Sequence, residues 1–129
     1  MEFKMKEGGF TTDLAYGKLH ISGDEQYGFR PYQLLTASIA VCSGGVLRKI
    51  LEKKRMQVED ITIQTNVLRN EQEANRLEKV EIHFIIKGKE LPETQIKKAM
   101  ELTRKNCSMV QSVIPAIEVM ETFEIISTE

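Results

Sequence analysis

Seventeen consecutive residues between Arg30 and Arg48 carry no charge, in a chain of 129 residues of which 29% are charged. Such a run is unlike a solvated surface segment, and it falls short of the roughly 20 apolar residues that a membrane-spanning helix requires. It also holds Gln33, Thr36, Ser38, Ser43 and the pair Gly44-Gly45. The pattern predicts a helix buried on nearly all sides. It opens at Pro31, whose missing N–H is harmless in a first turn, and runs to about Lys54. Gly44 and Gly45 weaken such a helix locally but admit another backbone, as tight packing of two such helices would need. Arg48, Lys49, Lys53, Lys54 and Arg55 then fall at its C-terminal end, where cations complement the helix dipole.

The flanking segments read differently. Phe3 to Lys6, Thr11 to Tyr16 and Lys18 to Ser22 are short strands of a meander, punctuated by Gly8-Gly9, Gly17 and Gly23. After the helix, Ile61, Ile63, Thr65 and Val67 alternate with Thr62, Gln64, Asn66 and Leu68. Val80, Ile82, Phe84 and Ile86 likewise alternate with Glu81, His83, Ile85 and Lys87. The polar stretch Arg69 to Arg76 makes these two runs a long antiparallel hairpin. Leu91-Pro92-Glu93 opens a helix whose apolar face runs through Ile96, Met100 and Thr103 toward Cys107. Ser108 and Gln111 have capping-box spacing, so a second short helix is expected from Ser108 to near Pro115. A last strand, Glu118 to Ser127, closes the chain. The fold class is α+β: an antiparallel sheet with a long buried central helix, in a single domain over 1–129.

Composition excludes several function classes. A net charge of -1, from 18 basic and 19 acidic residues, gives no pull toward nucleic acid or an anionic membrane. No glycine-rich phosphate loop is present, and no cofactor is expected. His20 and His83 have no histidine or cysteine at ligand spacing, so no metal site is expected. Met1 to Glu7 alternates apolar and charged residues instead of showing a signal-peptide pattern, which points to the cytoplasm. A domain of this length buries about two thirds of its unfolded surface and needs no disulfide to fold. In a reducing compartment its two cysteines, Cys42 inside the uncharged helix and Cys107 ahead of the short helix, read as reactive thiols.

Pro31-Tyr32-Gln33-Leu34-Leu35 announcing a central helix with Cys42 deep inside it, then a hairpin, then Asn106 to Val113 around Cys107, resembles the osmotically inducible protein C superfamily. That superfamily includes the organic hydroperoxide resistance proteins. The resemblance runs from about Phe3 to Ile126. It implies an OsmC-like fold and an intertwined homodimer with active sites at the subunit interface. It further implies a thiol peroxidase that reduces organic hydroperoxides, with Cys42 peroxidatic and Cys107 resolving, recycled by a dithiol such as a lipoyl-bearing protein. Two positions depart from the family pattern: Phe10 follows Gly8-Gly9 where an arginine is usual, and Tyr32 stands where one branch has a glutamate.

Peroxide cleavage needs a thiolate, a donor or cation to hold it, and a site dry enough for organic substrates. Burial among Ile39, Ala40, Val41 and Val46 raises the pKa of Cys42, so a charge must come from elsewhere. Arg30 is the candidate. It precedes Cys42 by 12 residues, roughly 18 Å along a straight helix, so it can act only on the Cys42 of a second copy whose helix crosses antiparallel. Gln33 and Tyr32 are candidate substrate-contacting residues at the start of the helix, and Met109 and Met120 are candidate pocket residues. Cys107, at a helix start with Arg104 and Lys105 nearby, is expected to be the more acidic thiol on local grounds. The alternative function is a ligand-binding or redox-sensing protein on the same fold.

Overall fold

The alternating runs after the central helix build the longest pairing in the chain. In the computed structural model, which describes residues 1–128, β4 (Gln57–Asn70) and β5 (Arg76–Lys89) form an antiparallel hairpin. The turn begins where the Asn70 carboxamide accepts from the Gln72 N–H (3.0 Å), and Ala74 and Asn75 take positive φ to reverse the chain. Period-two patterning puts Val80, Ile82, Phe84 and Ile86 on one face of β5, all fully buried. Complete burial of such a side chain contributes on the order of 1.5–3 kcal/mol.

Two compact units are present, Met1–Ala37 and Ser38 onward. In the first, β1 (Lys4–Lys6), β2 (Gly9–Asp13) and β3 (Lys18–Ile21) form an antiparallel meander. The strand expected over Thr11 to Tyr16 starts earlier and stops at Asp13, because the Leu14 N–H bonds the Gly17 carbonyl (3.0 Å) and turns the chain. Gly8 has φ 75, and a Cβ there would fall within the Tyr27 ring.

The second unit is a layer of helices on a three-stranded sheet of order β4-β5-β6. β6 (Glu118–Ser127) runs parallel to β5, so the sheet is mixed where an antiparallel one was expected. The cause is the connection: α2 (Glu93–Asn106) and α3 (Ser108–Val113) fill the long crossover that a parallel neighbour needs. Ile96, Ala99, Met100 and Thr103 of α2 and Val110 of α3 are buried in the same core as Val119 of β6.

α1 (Pro31–Lys53) has the predicted bounds to within a residue. Its end is a Schellman closure. The Met56 N–H bonds Leu51 O (3.1 Å) and the Arg55 N–H bonds Glu52 O (2.9 Å), with Arg55 at φ 58 where glycine is usual. The helix is long and apolar enough to cross a membrane, with mean hydropathy 1.5. However, Ala40, Ser43, Gly44, Leu47 and Leu51 form a stripe buried in the core of the second unit. Burial on nearly all sides does not hold for the single chain, since Val41, Gly45, Lys49 and Glu52 lie exposed on the opposite stripe. Gly44 serves close approach, though to the sheet and not to a second helix: a Cβ there would sit 2.5 Å from Ile63 Cδ1 and 3.8 Å from Phe84 Cε1.

Candidate functional site

Cys107 is where α2 stops and α3 starts. Its backbone is extended (φ -80, ψ 108), its N–H closes the last turn of α2 on Thr103 O (2.9 Å), and its carbonyl accepts from the Gln111 N–H (3.0 Å) to open α3. The side chain is turned inward and fully buried. α3 therefore begins at Ser108, as expected, but Ser108 is its first residue and not its cap. Cys107 is the N-cap residue, no side chain caps α3, and the Gln111 carboxamide donates to Arg104 O (2.9 Å) instead.

Seating α1 on the sheet through Gly44 brings Cys42 against this junction. Cys42 is half-buried, and its Sγ lies 3.7 Å from Ser108 Oγ. The backbone N–H of Met109 bonds the Cys42 sulfur and is the largest influence on it. Burial opposes this effect, and smaller contributions come from the Cys107 thiol and from the hydroxyl and N–H of Ser108. The balance holds Cys42 below the ordinary thiol value of 9.0.

Cys107 goes the other way. Burial pushes its thiol above 9.0, and the neighbouring Cys42 adds to the rise by hydrogen bond and charge. The N–H groups of Val110 and Met109 only partly offset these effects. The local expectation that Cys107 is the more acidic thiol is thus reversed. The donors at the start of α3 do exist, but Cys107 is too deeply buried to ionise on their account, and the half-buried Cys42 benefits from them. Both cysteines are free thiols, and when Cys42 is ionised the Cys107 thiol donates to it. Residues 65 apart in sequence thus form one dithiol site.

Arg30, Tyr32 and Gln33 belong to the first unit, whereas Cys42 and Cys107 belong to the second. Arg30 and Tyr32 are brought together, with the guanidinium carbon 4.8 Å from the ring centroid, a cation–π contact. Gln33 helps open α1, its N–H bonding Arg30 O (3.0 Å). The histidines are engaged elsewhere. His83 lies 2.7 Å from Thr122 Oγ1 and 3.0 Å from Glu124 Oε1, and His20 lies 3.0 Å from Lys6 Nζ. Met120 lines a shallow cavity of about 390 Å³ with His83 and Thr122, and Met109 contributes its backbone to the thiol site. Sequence reasoning missed Ser108 and the Met109 N–H. The available signal was a serine directly after Cys107, which capping spacing explained in another way.

A family profile described as OsmC-like protein matches residues 22–122. Among curated proteins, Protein YhfA of Escherichia coli is 24% identical over 98 residues, spanning 75% of this chain and 73% of that protein. A crystal structure of a hypothetical protein from Aquifex aeolicus superposes with a TM-score of 0.88 at 28% identity, covering 99% of this chain and 96% of the other. An organic hydroperoxide resistance protein from Elizabethkingia anophelis shares the fold, with a TM-score of 0.76 at 16% identity over 98% and 97% of the two chains.

Proposed function

Because the chain belongs to the OsmC-like family, we propose that its dithiol site is that of a thiol-dependent peroxidase acting on organic hydroperoxides. The observation that carries this reading is the contact between a thiol held below its ordinary pKa, Cys42, and a protonated buried one, Cys107. The Cys42 thiolate attacks the terminal oxygen of the hydroperoxide. The S–O bond forms as the O–O bond breaks, and the departing alkoxide takes up a proton from solvent to give the alcohol. Cys42 is left as a sulfenic acid. The Cys107 sulfur then attacks the Cys42 sulfur, its proton leaves with the hydroxyl as water, and a disulfide joins the two residues. A dithiol of the lipoyl class reduces that disulfide by two exchange steps and becomes a disulfide itself.

The same reading places the protein in the cytoplasm, as a homodimer. The exposed stripe of α1, on which Val41 is 64% exposed, is the surface a second copy would cover. Sedimentation as a single chain would refute the dimer, and recovery outside the cytoplasm on cell fractionation would refute the location. Arg30 is the proposed cation for Cys42 of a second copy, with Tyr32 and Gln33 at the substrate entrance. An Arg30→Ala variant with unchanged Cys42 ionisation and unchanged turnover would remove Arg30 from the site, and unchanged KM in Tyr32→Ala and Gln33→Ala would remove the other two.

The deciding experiment is consumption of cumene hydroperoxide with dihydrolipoamide as reductant. Turnover should be abolished in Cys42→Ser, and Cys107→Ser should accumulate a sulfenic acid at Cys42. Phe10 and Tyr32, at the two positions that depart from the family pattern, favour a second reading: ligand binding or redox sensing without turnover. Wild type that consumes no hydroperoxide, yet binds an apolar ligand that Cys42→Ser still binds, would replace the peroxidase with that reading.

A further inference from the structure

Ser108 stands at the first position of α3, and its hydroxyl does not cap that helix. The spacing to Gln111 suits a capping box, yet the N-cap residue is Cys107 and the Gln111 side chain serves Arg104 O. The Ser108 carbonyl is held by the Ser112 hydroxyl at 2.7 Å, which fixes the first turn of α3, and the Ser108 Oγ faces Cys42 Sγ at 3.7 Å. Either atom of that pair can donate while both are neutral. Once Cys42 is a thiolate it carries no hydrogen, and only the serine hydroxyl can donate.

We propose that Ser108 is a catalytic hydroxyl of this site: it donates to the Cys42 thiolate and then follows the negative charge onto the oxygen leaving the substrate. The second half rests on the peroxidase reading, while the first stands without it. Cys107 is fully buried and approaches Cys42 from the core, whereas Ser108 is exposed, so a molecule arriving from solvent meets Cys42 and Ser108 together. A hydroxyl is a rotor and can turn from sulfur to oxygen as charge moves, which a backbone N–H cannot do. The Ser108 hydroxyl at the thiolate supplies a donor within the chain. A charge-assisted hydrogen bond of this kind favours the ionised form.

The test uses full-length protein with Ser108→Ala and Ser108→Thr, substitutions at an exposed position that caps no helix. Alkylation of Cys42 by iodoacetamide is followed against pH, with Cys42 and Cys107 resolved by peptide mass spectrometry. Ser108→Ala should raise the Cys42 midpoint by about half to one pH unit, roughly three- to tenfold in ionisation at a given pH, and Ser108→Thr should restore it. An unmoved midpoint in Ser108→Ala, or failure of Thr to restore it, overturns the thiolate half. Single-turnover reaction with cumene hydroperoxide, at a pH where Cys42 is fully ionised in every variant, should slow by at least roughly tenfold in Ser108→Ala, the rate equivalent of one lost hydrogen bond to a charged group. An equal rate there overturns the alkoxide half. A wild type that consumes no hydroperoxide overturns the alkoxide half together with the peroxidase reading, and the alkylation midpoint alone still decides the other half.

Discussion

Ser43, next to Cys42 in the buried stripe of α1, is fully enclosed and its Oγ has no hydrogen-bond partner. Ser43→Ala should therefore stabilise the protein. A buried, unsatisfied hydroxyl costs about 1–3 kcal/mol relative to a satisfied one. Alanine also has the better helix propensity, by up to about 0.7 kcal/mol. Against this stands the vacated space of a single oxygen, which at about 24 cal/mol per Å³ over roughly 10–15 Å³ comes to only about 0.3 kcal/mol. The net expectation is a gain of about 1–3 kcal/mol. For a chain of 129 residues the unfolding entropy is about 0.27 kcal/mol/K, so Tm should rise by about 4–11 °C. The assay is thermal unfolding by circular dichroism with both variants at the same protomer concentration, since association makes Tm concentration-dependent. An unchanged or lower Tm would refute the reasoning, because it would mean that the hydroxyl finds an acceptor within α1.

Two further outcomes follow from the charged and titrating groups. Arg104 donates to Glu121 Oε1 (2.6 Å) and to Val119 O (2.8 Å), and the Glu121 side chain is only 10% exposed, with Oε2 unpartnered. Arg104→Ala leaves that carboxylate buried and unpaired, and urea unfolding should show a loss of about 2–3 kcal/mol, at the low end for a broken buried pair because Arg104 itself is 40% exposed. A loss below about 0.5 kcal/mol would mean that the pair behaves as a surface one. The two thiols give stability opposite pH slopes. Between the lowered native pKa of Cys42 and its unfolded value of 9.0 the unfolded chain binds more protons, so stability rises with pH. Above 9.0 the unfolded Cys107 ionises while the native thiol keeps its proton, so stability falls. Urea titrations across pH 7–10 should show the rising part vanish in Cys42→Ser and the falling part weaken in Cys107→Ser; identical profiles in all three proteins would refute both assignments.

Elements whose signal is local were legible in the sequence. The hairpin shows itself through period-two alternation at Ile61 to Val67 and Val80 to Ile86, α1 through Pro31 and the absence of charge, and β6 was expected at its observed bounds, Glu118–Ser127. What escaped was whatever depends on the partner of an element. Strand alternation is identical for parallel and antiparallel neighbours, so the direction of β6 beside β5 could not be read from its residues. Nor could the one-sided burial of α1. The buried stripe and the exposed stripe of that helix are both uncharged from Pro31 to Leu47, and only contact with β4 and β5 tells Gly44, which touches Ile63, from Gly45, which meets nothing within 4 Å.

The two misreadings at the thiol site have a single physical origin. Ser108 was assigned to a cap and Cys107 to the acidic thiol because both inferences assume that the start of α3 serves its own chain neighbours. A helix start does offer donors, but geometry decides who receives them. The extended backbone at Cys107 turns its side chain into the core, so burial dominates there and the proton stays on. The Met109 N–H and the Ser108 hydroxyl then point at a sulfur contributed by another helix. The acidity that local reasoning gave to Cys107 is in effect transferred to Cys42, and the proton that Cys107 keeps becomes a further donor to it. A residue pair of this kind needs one buried and one half-exposed member. Two equally exposed thiols would both take donors from solvent, and two equally buried ones would both stay protonated. The difference in acidity between Cys42 and Cys107 is therefore set less by either local sequence than by the depth at which α1 and the α2–α3 junction meet.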